Sequence, residues 1–201
     1  RVINKVLKLE DFEKIIVSTD DEEIAAIARE SGAEVPYLRP KEISGDLSNT
    51  RDVILHTINW YRSKGIEFKN ICCIYPTSIF VKVDDLIRGI KILSDNIGEK
   101  YIFSAIEYTH PIQRAFYLDK KGFSKMYSDN FFKRTQDLEK SYHDAGQFYL
   151  ASASTWLKKD NFFEEGKPII LPRGESIDID NIEDWKLAEI IYELIINEKV
   201  I

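Results

Sequence analysis

The chain has 201 residues, 44% of them hydrophobic, so it is long enough to bury a substantial core and we expect a single domain over 1–201. Its net charge of −6 gives no basic field that would attract a polyanion, which argues against nucleic acid as a partner. The sequence has neither an apolar stretch of about 18 residues nor a signal-peptide pattern, so we expect no membrane partner and a cytoplasmic location.

Apolar runs of β type alternate with amphipathic helices along most of the chain. The predicted strands cover residues 14–20, 71–75, 101–105, 146–151 and 169–172. The predicted helices run over 21–31, from 51 to just before Gly65, from 83 past Leu93 and over 182–198, with a short helix and loop at 156–163. This alternation is typical of a three-layer α/β fold with a mostly parallel wound sheet.

Residues 107–142 interrupt the alternation and form a predicted inserted arm. A hairpin is expected at 116–123, around a Lys-Gly turn. Arg114 and Lys133 give the arm a local positive charge, which suits recognition of a carboxylate or a phosphate. The alternative is that both are solvated surface charges, and the residues alone leave the two interpretations open.

The strand at 71–75 ends at Pro76, which cannot donate a hydrogen bond to a neighbouring strand. Thr77 and Ser78 follow directly, so their hydroxyls are expected at the carboxyl end of the strand. In an open α/β sheet this end is where ligands bind. Cys72 and Cys73 lie inside the same apolar run, and we expect them to be small buried residues rather than a disulfide, a metal pair or a nucleophile.

Asp178 and Asp180 are two residues apart, so in an extended segment both carboxylates project to one side. Two such carboxylates suit a hard cation such as Mg²⁺. The alternative is structural: Asp180 and Glu183 would form a capping box for the last helix, and Asp178 would be a solvated loop residue.

Two further sites combine polar side chains with a constrained backbone. Arg39 lies next to Pro40, and its rigid guanidinium would suit a base edge or a phosphate, unless it pairs on the surface with Glu34 or Glu42. Ser18 and Asp20 lie where a strand meets a helix, which is typical of an anion or ribose site and equally of a helix N-cap.

His143 and Asp144 form a candidate acid/base pair, but no serine or cysteine stands beside them as a nucleophile, which disfavours hydrolase chemistry.

Five stretches, in this order, resemble the CMP-sugar synthetases, the cytidylyltransferases that activate nine-carbon sialic-type acids. They are Ile16-Val17-Ser18-Thr19-Asp20-Asp21, Leu38-Arg39-Pro40, Tyr75-Pro76-Thr77-Ser78, His143-Asp144-Ala145-Gly146-Gln147-Phe148-Tyr149 and Asp178-Ile179-Asp180 with Glu183-Asp184-Trp185. The fourth stretch, together with Pro111-Ile112-Gln113-Arg114-Ala115-Phe116, is most similar to the pseudaminic acid branch.

The resemblance implies a fold of the nucleotide-diphospho-sugar transferase type and transfer of CMP from CTP to a nonulosonic acid, with release of pyrophosphate. It also implies Mg²⁺ as cofactor and a homodimer whose arm, 107–142, reaches over the neighbouring active site. The implied roles are Ser18 and Asp20 beside the nucleotide, Arg39 on cytosine, Thr77 and Ser78 beside the sugar and phosphates, Gln147 on the sugar, and Asp178 and Asp180 on the metal. Arg114 and Lys133 match the carboxylate site of the acid by character alone.

The sequence departs from the family pattern at its start. The family begins with a strand and a glycine-rich basic loop that binds the triphosphate, and both would precede Arg1. Because a sheet without that strand would leave backbone groups unpaired, we expect an upstream segment in the whole protein. The alternatives are a synthetase for N-acetylneuraminate or 3-deoxy-octulosonate, or an inactive relative that only binds a nucleotide or sugar.

Overall fold

The computed structural model describes residues 1–45, 48–95, 98–127 and 133–198. Six α-helices are described in this part of the chain: α1 to α6 are Val2–Val6, Glu22–Glu30, Thr50–Arg62, Val83–Ser94, Ala153–Lys158 and Ile182–Glu198. Its six β-strands, β1 to β6, are Asn70–Ile74, Ile102–Glu107, Phe116–Leu118, Ser124–Met126, Tyr142–Ser152 and Lys167–Ile170. The helices predicted from hydrophobic period are therefore present, although the short helix begins at Ala153 rather than Trp156.

The main sheet has four strands in the order β1-β5-β2-β6. β6 pairs with β2 in parallel, whereas β5 is antiparallel to both of its neighbours. Three strands thus point in one direction and β5 runs against them in the middle. The α/β class is confirmed, and the sheet is mixed because the inserted arm returns the chain to β5 from the same end at which it left β2.

Side chains of the sheet alternate between two apolar layers, as the twofold period of a strand requires. Phe148 and Leu150 join the cluster that contains Leu86 of α4. Tyr149 and Ala151 face the opposite cluster, which contains Ile58 of α3 and Trp156 of α5. Helices therefore cover both faces of the sheet, and the expected three layers are present. Among the residues described, no helix is both long enough and apolar enough to cross a bilayer.

The predicted strand at 14–20 is the main difference in the fold. In the structure this segment makes only isolated parallel bridges, Ile16 with Glu34 and Thr19 with Leu38, and it does not join the main sheet. A cavity of about 330 Å³ is lined by Ile16 and Ser18 on one side and by 70–72 of the edge strand β1 on the other. The segment is extended, as its apolar pattern predicted. It does not form a strand of the main sheet because, among the described residues, no strand lies between it and β1 to pair with both.

The inserted arm leaves the sheet after Glu107 and returns at Tyr142, which pairs with it. Its described part contains the predicted hairpin, in which β3 pairs with β4 around Gly122 at a φ of +83°. Residues 128–132 of the arm, and Asp46 of the polar loop before α3, lie outside the described residues.

Candidate active site

The turn after β1 is fastened to β5. The amide of Ser78 donates to the carbonyl of Tyr75 at 3.0 Å and closes the turn. The buried hydroxyl of Ser78 donates to the carbonyl of Gln147 at 2.9 Å and approaches that of Gly146 at 3.4 Å. Thr77 is half-buried at the same corner. The sequence placed this corner correctly, and the structure adds that Ser78 uses its hydroxyl to hold the backbone of β5.

A bulge of several residues interrupts β5 directly opposite this corner. Phe103 pairs with Tyr149 and Ala105 pairs with Asp144, so the single residue Ser104 spans four residues of β5. The fully buried hydroxyl oxygen of Ser104 accepts the amides of Gln147 at 3.0 Å and Phe148 at 3.2 Å. Bulges of this kind commonly lie beside active sites, where they redirect the chain.

The bulge also anchors the segment that precedes α6. The hydroxyl of Ser176 donates to the carbonyl of Ala145 at 2.8 Å, and the side-chain amide of Gln147 donates to the carbonyl of Glu175 at 2.5 Å. Gln147 is only 3% exposed. The structure therefore gives Gln147 a role in fixing this segment, and its contact with a sugar stays a prediction.

Asp178 lies against the bulge. A methyl group built on Gly146 would be 3.7 Å from its Oδ1, and Gly146 has a φ of +61°, a left-handed conformation that favours glycine. The pKa of the Asp178 carboxyl is raised, first because partial burial disfavours its charged form, and then because the carboxylates of Asp180, Asp144 and Asp184 repel it. Asp178 and Ser78 thus meet at Gly146, which places Asp178 beside the Pro-Thr-Ser corner.

The cap of α6 differs from the predicted capping box. Oδ1 of Asn181 accepts the amides of Glu183 at 2.8 Å and Asp184 at 3.0 Å. Oδ2 of Asp184 accepts the amides of Asp180 and Asn181, each at 3.1 Å. The capping box is therefore Asn181 with Asp184, one residue later than Asp180 with Glu183. The correction leaves the carboxylate of Asp180 outside the cap.

The acidic pair is chemically suited to Mg²⁺. Within the described ranges, no group of three His, Cys, Asp or Glu side chains is arranged to hold a metal ion. Mg²⁺ is usually held by one or two carboxylates together with substrate phosphates rather than by a protein cage. The pKa of the Asp178 carboxyl is raised first by its partial burial and then by repulsion from neighbouring carboxylates, and a divalent cation would neutralise that negative charge. The chemistry of Asp178 and Asp180 therefore fits Mg²⁺, and their role as its ligands stays a prediction.

Arg39 lines a pocket of about 190 Å³. Its Nη2 donates to Oδ1 of Asp20 at 3.1 Å and its Nε to the hydroxyl of Ser44 at 3.2 Å, so the guanidinium is held from two directions. The carboxylate beside Arg39 is thus Asp20. Glu34, one of the two surface partners considered from the sequence, pairs with Lys14 at 2.7 Å instead.

The residues around the start of α2 have different hydrogen-bonding roles. Oδ1 of Asp21 accepts the amide of Ile24 at 2.9 Å, and Oγ1 of Thr19 accepts the amide of Asp21 at 3.1 Å. The N-cap of α2 is therefore Asp21, whose own amide is accepted by Thr19, and Asp20 pairs with Arg39 instead. The hydroxyl of Ser18 is buried at the cavity beside β1 and has no hydrogen-bond partner among the residues described.

A series of side chains connects the Arg39 pocket to the acidic pair. Thr50 lines the pocket, and its hydroxyl lies 2.5 Å from that of Tyr75. The rings of Tyr75 and Tyr149 are 5.5 Å apart, and the hydroxyl of Tyr149 donates to Oδ2 of Asp144. Thr50, Tyr75 and Tyr149 were not identified from the sequence. The one available signal was Gly146 inside a predicted strand, because an internal glycine often marks a bulge.

Arg114 and Lys133 meet each other on the arm, where the guanidinium of Arg114 donates to the carbonyl of Lys133. Both side chains are exposed. Among the contacts of the described residues, neither reaches the Arg39 pocket or Asp178. Within one chain the structure thus does not bring them to the other predicted site residues.

A model of the cytidylyltransferase family matches residues 1–165. The pseudaminic acid cytidylyltransferase of Campylobacter jejuni is 36% identical over 185 residues, which are 91% of this chain and 79% of that protein. The CMP-N,N'-diacetyllegionaminic acid synthase of Legionella pneumophila is 29% identical over 90% of this chain and 79% of its own length.

Solved structures agree with this fold. CMP:2-keto-3-deoxy-manno-octonic acid synthetase, in complex with CTP, superposes with a TM-score of 0.64 at 10% identity, covering 96% of this chain and 86% of the other. The 4-diphosphocytidyl-2C-methyl-D-erythritol synthase of Anaerococcus prevotii has a TM-score of 0.60 at 14% identity over the same shares. At these identities the likeness concerns the fold alone.

Proposed function

Because the chain belongs to the cytidylyltransferase family, we propose that it transfers CMP from CTP to a nonulosonic acid, with pseudaminic acid as the substrate. The observation that carries this proposal is the 36% identity to a pseudaminic acid cytidylyltransferase over 91% of the chain. The oxygen of the anomeric hydroxyl attacks the α-phosphorus of CTP and forms the new P–O bond. The bond from the α-phosphorus to the oxygen of the β-phosphate breaks, pyrophosphate leaves, and the hydroxyl proton passes to solvent. A CTP-consuming enzyme of this kind would act in the cytoplasm, where nucleoside triphosphates are made.

The pocket of Arg39 takes the cytosine in this proposal. A guanidinium held by Asp20 and Ser44 offers its remaining donors in a fixed direction, as recognition of the carbonyl and ring nitrogen of a pyrimidine requires. Ser18 and Asp20 then lie beside the nucleotide, and Thr77, Ser78 and Gln147 border the sugar. The connection through Thr50 supports a single site that extends from the base to the acidic pair.

Asp178 and Asp180 hold Mg²⁺ in this proposal. The ion supplies charge neutralisation at the phosphates of the nucleotide. The carboxylates of this chain orient it, and the anchored bulge keeps Asp178 in place. Positioning and charge compensation supply most of the acceleration in this proposal, and it names no general base.

The inserted arm is the dimerisation element in this proposal. Its described part exposes a group of apolar side chains that are 39–65% accessible: Ile112, Phe116, Tyr117, Leu118, Phe123 and Met126. Apolar surface concentrated in one protruding segment is typical of a protein interface. Across such an interface, Arg114 and Lys133 would offer positive charge to the carboxylate of the acid bound by the neighbouring subunit.

The proposal is tested by incubating the protein, as its gene encodes it, with CTP, Mg²⁺ and each of four acids: pseudaminic, legionaminic, N-acetylneuraminic and 3-deoxy-octulosonic acid. Pyrophosphate release with pseudaminic acid alone is the expected result. Release only with another acid would assign the enzyme to that substrate, and no release with any acid would favour a binding protein.

A further inference from the structure

We propose that Tyr149 and Asp144 form a clamp that fixes the bulge of β5 beneath Asp178. Both are positioning residues, which act on the acidic pair through the backbone of β5. The inference deepens the proposed function and rests on it, because the role of Asp178 does.

The clamp uses both oxygens of one carboxylate. Oδ1 of Asp144 accepts the amide of Gly146 at 3.0 Å, and Oδ2 accepts the hydroxyl of Tyr149. Tyr149 is only 2% exposed and Asp144 is half-buried. A carboxylate with two donors inside a partly buried site is rigid, since each hydrogen bond to a charged group is stronger than a neutral one.

The bulge transmits this rigidity to the acidic pair because the segment before α6 is anchored on it. Ser176 donates to Ala145 and Gln147 donates to Glu175, so hydrogen bonds fix this segment at two points just before Asp178. Asp178 itself lies over Gly146, the residue whose amide Asp144 holds. A shift of the bulge would therefore move the carboxylate of Asp178.

The clamp also faces the nucleotide pocket. The ring of Tyr149 lies 5.5 Å from that of Tyr75, whose hydroxyl meets Thr50 at the wall of the Arg39 pocket. The same tyrosine thus contacts the base side of the site and the acidic side. Because nucleotidyl transfer depends on holding the phosphates in line with the attacking hydroxyl, a displacement of about 1 Å between the two sides costs on the order of hundredfold in rate.

The variant Tyr149→Phe tests the clamp, since it removes one hydroxyl and keeps the ring. Tyr61→Phe is the matched control, because the hydroxyl of Tyr61 also donates to a carboxylate, that of Glu34, outside the site. For Tyr149→Phe we expect kcat to fall about tenfold and the half-saturating Mg²⁺ concentration to rise several-fold. Losses of this kind commonly follow when a residue that holds a metal ligand in position is removed. The KM for CTP should stay within about twofold of wild type, because the substitution keeps the ring that packs on Tyr75 and leaves the side chains of the Arg39 pocket unchanged.

A double-mutant cycle of Tyr149→Phe and Asp144→Ala shows whether the two residues act together or contribute to activity independently. If the two residues act as one unit, the double variant loses no more activity than the more damaging single variant. Additive losses, or a loss in Tyr149→Phe no larger than in Tyr61→Phe, would overturn the proposal. Tyr149→Phe is judged by itself if Asp144→Ala does not fold.

Two measurements test the clamp without relying on enzyme turnover. Hydrogen exchange should release the Gly146 amide about fivefold faster in Tyr149→Phe than in wild type, and Mn²⁺ titration followed by EPR should show weaker binding. If no acid is a substrate, the proposed function fails, yet faster exchange together with weaker Mn²⁺ binding still supports the clamp. Exchange or Mn²⁺ affinity that stays within twofold of wild type would contradict it.

Discussion

At the scale of single residues, Arg39 is the best-defined side chain of the proposed nucleotide pocket. Two donors of its guanidinium are already engaged by Asp20 and Ser44, so the remaining N–H groups point in a fixed direction. A lysine cannot reproduce this fork, because its ammonium is a flexible point charge. Sequence reasoning identified Arg39 from its proline-flanked position, and the structure supplied its partner.

We predict that Arg39→Lys raises the KM for CTP about tenfold and changes kcat by less than about threefold, since the interaction lost is binding rather than transition-state stabilisation. Steady-state kinetics over a range of CTP concentrations measure both. Arg29→Lys is the control, because Arg29 donates to the carbonyl of Val35 outside the pocket. Equal effects of the two substitutions would remove Arg39 from the nucleotide site.

Glu34 provides a test of the electrostatics away from the site. Lys14 and then Tyr61 donate to its carboxylate, and its pKa is lowered from the ordinary value of 4.5, chiefly by the hydrogen bond from Lys14. A carboxylate with a lowered pKa in the folded state stabilises the protein above its unfolded pKa, and this stabilisation is lost as pH falls through the folded pKa.

We therefore predict that Glu34→Gln lowers the free energy of unfolding near pH 7 by up to about 1 kcal/mol, the usual range for a partly exposed pair. The difference from wild type should shrink as pH falls below about 4. Urea denaturation at pH 7 and pH 3 measures it, with the surface variant Glu42→Gln as control. A difference that is unchanged at pH 3 would show that the ion pair is not its source.

At the scale of elements, the helices were predictable and the bulge of β5 was not. The apolar period and the end signals predicted α2, α3, α4 and α6, because a helix satisfies its hydrogen bonds within its own segment. A bulge depends on the register against a neighbouring strand, which periodicity does not contain. The same reason explains the segment at 14–20, whose pattern is extended but whose ladder partner is not a local property.

Ser104 tests the bulge as an element. Its buried hydroxyl oxygen accepts two amides, so Ser104→Ala leaves two buried donors without a partner. We predict a loss of about 2 kcal/mol or more in the free energy of unfolding, measured by urea denaturation. Ser94→Ala should change it by less than about 0.5 kcal/mol, because Ser94 is an exposed residue of α4 that bonds within its own turn. A loss for Ser104→Ala as small as that of Ser94→Ala would contradict the structure of the bulge.

At the scale of the whole molecule, the resemblance predicted which segments of the chain contribute to the proposed site. It did not predict which side chains connect those segments in space. The corner, Arg39 and the acidic pair were each identified separately. What joins them is the path from Thr50 through Tyr75 and Tyr149, which exists only once β1 and β5 pair.

We predict that the inserted arm forms the interface of a dimer. Replacing Leu118 and Phe123, which are 64% and 65% exposed, by aspartate should convert a dimer to a monomer, because charge in an apolar interface is not compensated. Analytical ultracentrifugation of the variant and wild type measures this. Ile27→Asp, at a 56% exposed position of α2, is the control and should stay dimeric. A monomeric wild type, or a variant that remains dimeric, would exclude the arm as the interface.

The central claim is that Asp178 and Asp180 hold the metal for cytidylyl transfer, and the turnover of Asp180→Ala tests it most directly. Pyrophosphate release with CTP, Mg²⁺ and the preferred acid should fall at least about hundredfold, while CTP still binds with a Kd within about threefold of wild type. Glu183→Gln, a change of an exposed acid in the first turn of α6, should leave turnover unchanged. Undiminished turnover in Asp180→Ala would contradict the account.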